Sequence, residues 1–148
     1  MKKTSIFLAL FLLAGLGKSF AGYLKIINMT PCSFQFYSGY GTITDPSTTP
    51  PTVYGFSFGP MTVGSMATVN YANPTLIPGF SGPSTPLATT GCAEVVKVNG
   101  PGTGFPIGKT PPINSYSSTN NPSCNGGNNY TMGWNPSSSG CDAVILIF

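Results

Sequence analysis

The chain has 148 residues, of which only 6% are charged, with six lysines, three acids and no histidine. Its formal charge of +3 comes entirely from the first 21 residues, which hold Lys2, Lys3 and Lys18. Lys25, Lys97 and Lys109 then face Asp45, Glu94 and Asp142 in a neutral remainder. That balance excludes nucleic acid as a partner, because phosphates are neutralised by clustered Lys and Arg.

The opening Met1-Lys2-Lys3, the apolar run from Ile6 to Leu16 and the small-x-small exit Ser19-Phe20-Ala21 form the three parts of a secretory signal peptide. The apolar run is too short for a stable membrane span. The expected organisation is a signal peptide over 1–21 and one domain over 22–148. The product is expected to be secreted or displayed at the cell surface, or to lie in the periplasm of a Gram-negative host. Cys32, Cys92, Cys124 and Cys141 then read as two disulfides. Cys124 with Cys141 and Cys32 with Cys92 are the favoured pairs among three possible pairings. No cofactor is expected, and no metal either, since zinc sites bring cysteines in close pairs or with histidine.

In chain order, Tyr23 to Ile27 is the first β-rich run. Ser33 to Tyr40 follows, with Phe34 and Phe36 alternating against Gln35 and Tyr37 at the two-residue period of a strand. Thr52 to Phe58 puts Tyr54, Phe56 and Phe58 on one face. Thr62 to Tyr71, Glu94 to Val98, Tyr130 to Trp134 and Ala143 to Phe148 complete the set. Between them, residues 41–51, 73–86, 99–112 and 117–129 are rich in Pro, Gly, Ser, Thr and Asn and read as loops. About seven short strands so punctuated predict an all-β, single immunoglobulin-like β-sandwich with long loops, stapled by disulfides. The last run is apolar on both faces and calls for a central, covered position. The terminal aromatic Phe148 resembles the last residue of outer-membrane β-barrel proteins, a resemblance confined to one strand and opposed by 15 prolines and four cysteines.

Gly100 to Thr110 ends in Gly-Lys-Thr but misses the P-loop spacing, since Thr103 stands where the first glycine belongs. Pro111-Pro112 follows, where a helix N-terminus would be needed. No nucleotide is expected. Acid/base chemistry has few groups to draw on, and no Ser-x-x-Lys occurs, so the chain reads as non-enzymatic. A small secreted hydrolase, relying on carboxylates that folding would have to bring together, is the least supported alternative.

The most suggestive constellation is Asn125, Asn128, Asn129, Tyr130, Trp134 and Asn135. Aromatic faces cover the apolar side of a sugar ring while amides bond its hydroxyls. The competing role for Trp134 is a core residue of the sandwich. Asn-x-Thr, the acceptor pattern for N-glycosylation, occurs at Asn28 and Asn129. The leading functional expectation is thus a binding module for a glycan or an extracellular protein. The alternative is a self-assembling structural or surface-coat subunit, with the apolar C-terminal strand adding to a neighbour's sheet edge.

Overall fold

The computed structural model describes residues 22–137 and 140–148; the signal peptide read over 1–21 lies outside them. Among the described residues, ten strands fall into two sheets of five. The strands are β1 (Leu24–Asn28), β2 (Phe34–Asp45), β3 (Thr52–Phe58), β4 (Met61–Val63), β5 (Thr68–Tyr71), β6 (Cys92–Gly100), β7 (Thr103–Gly108), β8 (Ser115–Ser117), β9 (Thr131–Pro136) and β10 (Ala143–Ile147). The first sheet has the order β5-β1-β10-β9-β8, and the second has β3-β2-β6-β7 with β4 also paired to β2. Three short 3-10 turns lie in the connections.

The core is built by alternation. Leu24 and Ile26 of β1, Met132 and Trp134 of β9, and Ala143, Ile145 and Ile147 of β10 are buried from the first sheet. Phe34, Phe36, Ile43, Phe56, Phe58, Val96, Val98 and Ile107 join them from the second in one cluster. This is the sandwich-like solution for sheets that are apolar on one face.

The last strand takes the central place its composition requires. β10 runs parallel to β1 on one side and antiparallel to β9 on the other. Both of its edges are therefore occupied, which corrects the expectation that this strand is available to a neighbour's sheet.

Several boundaries move for identifiable reasons. β2 continues through residues 41–45, expected as loop, because Gly39 and Gly41 face the core and the rings of Phe58 and Phe56 occupy the space their side chains would need. Register shifts against β6 at Phe36/Ser38 and Tyr40/Gly41 mark bulges, and the first moves the buried set of β2 from even to odd positions. The run from Thr62 to Tyr71 divides between the sheets, turning at Met66 with φ of 52°. The glycine-rich stretch after Asn99 forms the β6–β7 hairpin rather than a loop.

The favoured disulfide pairing is overturned. Cys32 joins Cys124, and Cys92 joins Cys141. In the antiparallel β2–β6 ladder Cys92 sits opposite Thr42, whereas Gln35, just after Cys32, sits opposite Asn99; Cys32 and Cys92 are thus at opposite ends. Likewise β9 lies between Cys124 and Cys141 and carries the chain away from the first before it reaches the second.

Candidate functional site

The six residues singled out around Trp134 separate into a buried aromatic pair and a set of amides engaged with nearby main chain. Trp134 is opposite Ile145 on β9 and only 4% exposed, while Tyr130 is 1% exposed. The Tyr130 ring meets Phe34 edge-on at 5.0 Å and lies near the stacked pair Phe105–Tyr116. Neither ring offers a face to a ligand, so the aromatic platform expected there is corrected to core packing. Burial, followed by the influence of Tyr116, pushes the Tyr130 phenol up to about 12, and its hydroxyl has no hydrogen-bond partner among the described residues.

The asparagines shape the turn around Cys124. Asn125 Nδ2 donates to the Asn128 carbonyl at 3.0 Å, and Asn128 Nδ2 returns a bond to the Asn125 carbonyl at 3.2 Å. Asn129 Oδ1 accepts from the Asn121 amide and from Ser118 Oγ. Asn135 Nδ2 bonds the carbonyls of Gly133 and Val144. These amides satisfy local main chain, as Asn does in turns.

Of the two Asn-x-Thr acceptors, Asn28 is inside. Its Nδ2 donates at 2.7 Å to both the Cys32 and Gly64 carbonyls, and its Oδ1 accepts from the Thr30 amide and hydroxyl. The three acids also hold structure. Asp45 Oδ1 accepts from the Ser47 hydroxyl and amide, which lowers its pKa. Glu94 lies 3.6 Å from Lys109, and Asp142 Oδ1 accepts from the Tyr23 amide.

The outer face of the second sheet presents different chemistry. The bulge at Tyr37 in β2 leaves both Tyr37 and Tyr40 pointing to solvent, 40% and 48% exposed. Tyr40 is opposite Ser57 on β3, and its ring leans diagonally over Gly55, where a Cβ would come within 2.9 Å of it. Across β6, Lys97 is opposite Pro106. A groove of about 120 Å³ runs between Tyr40 and the Lys97–Pro106 pair over Val95 and Gly39. Cavities that enclose a small ligand are roughly 300–1,000 Å³, so this groove is too small to enclose one. Lys97 has no acidic partner among the described residues.

The alternation of Gln35 with Tyr37 signalled an outward tyrosine. That Tyr40 shares its face depends on a bulge, which a single sequence does not disclose. No protein-family model, curated protein or solved structure matches the chain.

Proposed function

We propose that this chain is a secreted or surface-exposed, non-enzymatic binding domain that takes a neutral glycan on the outer face of its second sheet. The observation that carries this reading is Tyr40, an exposed aromatic ring that reaches into the space left by the absence of a side chain at Gly55 and is bordered by Lys97 and Pro106. A ring so placed covers the apolar C–H face of a sugar, while the hydroxyls of Ser38 and Tyr37 and the Lys97 ammonium supply polar partners. The low charge of the chain favours an uncharged ligand over an ionic one.

In this reading residues 1–21 are removed on export, and the two sheets form an immunoglobulin-like sandwich that serves as a rigid scaffold. Both disulfides support an oxidising compartment.

The test is affinity electrophoresis through gels containing a panel of neutral polysaccharides. Retardation by one of them that is lost in Tyr40→Ala and kept in Asn128→Ala supports the reading. Retardation lost instead in Asn128→Ala would return the site to the Cys124 turn, and migration unaffected by every polysaccharide would refute glycan binding.

A further inference from the structure

The edges of the two sheets differ in how well they are protected against strand addition. In the first sheet, β5 has four residues and β8 three. In the second, β7 carries Pro106. Shortness and proline are both devices that block an edge. β3 has neither. Its seven residues, Thr-Val-Tyr-Gly-Phe-Ser-Phe, include no charge and no proline, and it pairs with β2 through seven consecutive positions without a bulge.

The direction of its open hydrogen-bonding groups follows from one contact. Ser57 exchanges both main-chain bonds with Ser81, each at 2.8 Å, so the amide and carbonyl of Ser57 point away from β2. By the period of two, those of Gly55 and Val53 point the same way. Neither residue makes a main-chain bond along that edge among the described residues. Beyond Ser81 the chain passes Phe56, where a Cβ on Gly82 would touch it, which confines the open stretch to Val53–Gly55. Val53 is 60% exposed and Tyr54 37%.

We propose that this stretch pairs antiparallel with the same stretch of a second copy, about a two-fold axis through Tyr54, joining the two second sheets into one. Three features of the edge are self-complementary. Val53 comes opposite the second copy's Gly55 and Gly55 opposite the second copy's Val53, so each of these pairs exchanges two main-chain bonds. On the outer side, the exposed Val53 of each copy comes beside the other's Gly55, where it packs against the edge of the Tyr40 ring that fills the space over that glycine. On the other side, the two Tyr54 rings are direct cross-strand neighbours, a stabilising aromatic pair. Charge does not oppose the approach, since residues 22–148 hold three lysines and three acids and the strand itself holds none. This interface goes beyond glycan binding and stands without it.

The experiment is sedimentation velocity on the oxidised protein from micromolar to millimolar concentration, with Val53→Pro and Val53→Lys as separate variants. Proline removes an amide that faces the open edge and leaves the β2 ladder in place; lysine adds like charge on both copies. A concentration-dependent dimer is expected for the unaltered chain, weakened about tenfold or more by each variant. The axis is read by Tyr54→Cys. Its two copies form a non-hydrogen-bonded pair with Cα atoms about 4.5 Å apart, within disulfide reach, so oxidation yields a covalent dimer. Val53→Cys, offset from its own copy, yields far less. A monomer at every concentration, a dimer insensitive to both Val53 variants, or equal cross-linking at the two cysteine positions overturns the proposal.

Discussion

The ring of Tyr40 rests across Gly55 of the neighbouring strand, in space that any side chain at Gly55 would enter. The contact couples an exposed aromatic on β2 to an edge glycine on β3 and fixes the ring against the sheet. Gly55 carries no left-handed backbone angle, so a larger residue is tolerated by the strand. Gly55→Val is therefore expected to keep the fold, with a stability change of about 0.5 kcal/mol or less as for other surface positions. Polysaccharide retardation is expected to fall to the level of Tyr40→Ala. A thermal melt and a retardation gel check both halves; retention of binding with the fold intact contradicts the role given to the ring.

Trypsin distinguishes the disulfide frameworks directly. Cleavage after Lys25, Lys97 and Lys109 places Cys32 and Cys92 on one peptide and Cys124 and Cys141 on another. The two peptides are expected to stay joined until reduction, and further cleavage at the methionines is expected to isolate Cys32 with Cys124 and Cys92 with Cys141. Separate peptides without reduction would show the opposite pairing. The bridges span 92 and 49 positions. In the chain-entropy model each contributes about 4 kcal/mol, so paired serine substitution at either is expected to lower the denaturation midpoint steeply.

Tyr130 buries a hydroxyl that has no partner among the described residues, close to Gly100 on β6. Removing it leaves the ring's packing against Phe34 and deletes an unpaired polar atom. Tyr130→Phe is expected to hold stability or raise it by about 1 kcal/mol. The alkaline limb carries the same signature. The folded phenol titrates at about 12 against an ordinary value of 10.0, so the unfolded chain releases its proton first. The stability linked to this group is complete below pH 10 and declines as pH rises toward 12. Urea midpoints measured across that interval are expected to fall less in Tyr130→Phe. An equal fall in both proteins contradicts the assignment.

Asn28 is the polar counterpart of Tyr130, because its side chain is fully used. It bridges the Cys32 and Gly64 carbonyls and accepts from Thr30, joining the connection after β1 to the turn after β4 beside the Cys32 bridge. Asn28→Ala leaves those groups unpaired and is expected to cost about 3 kcal/mol, measured by denaturant unfolding. If the protein is made in a host with the matching glycosyltransferase, mass spectrometry of the folded product is expected to find Asn28 unmodified; a modified, native protein contradicts its burial.

The sequence revealed the β class because side chains alternate along the runs that form β2, β3 and β5 and because Pro and Gly separate the runs. It also indicated the interior place of β10 through Val144, Ile145, Leu146 and Ile147, apolar on both faces. It misled where alternation depends on a partner. Gly41 read as the start of a loop, although it faces inward, as Gly39 does, where the rings of Phe56 and Phe58 take up the space of a side chain. Trp134 read more readily as core than as ligand platform and Tyr130 as part of the platform; the structure sets both inside, beside Ile145 and Phe34. Disulfide pairing followed strand register instead of sequence distance, and register is a property of the ladder between β2 and β6. The outward position of Tyr40 arose from a bulge for which the local sequence carries no distinct signal.

The most direct test of the binding face is chemical-shift mapping of the isotope-labelled protein, titrated with a short fragment of whichever neutral polysaccharide retards it. The account predicts that the largest amide shifts fall at Tyr37, Ser38, Tyr40, Gly55 and Lys97, with the Asn125 to Asn129 turn unmoved. Shifts confined to that turn, with the amides around Tyr40 unchanged, would contradict it.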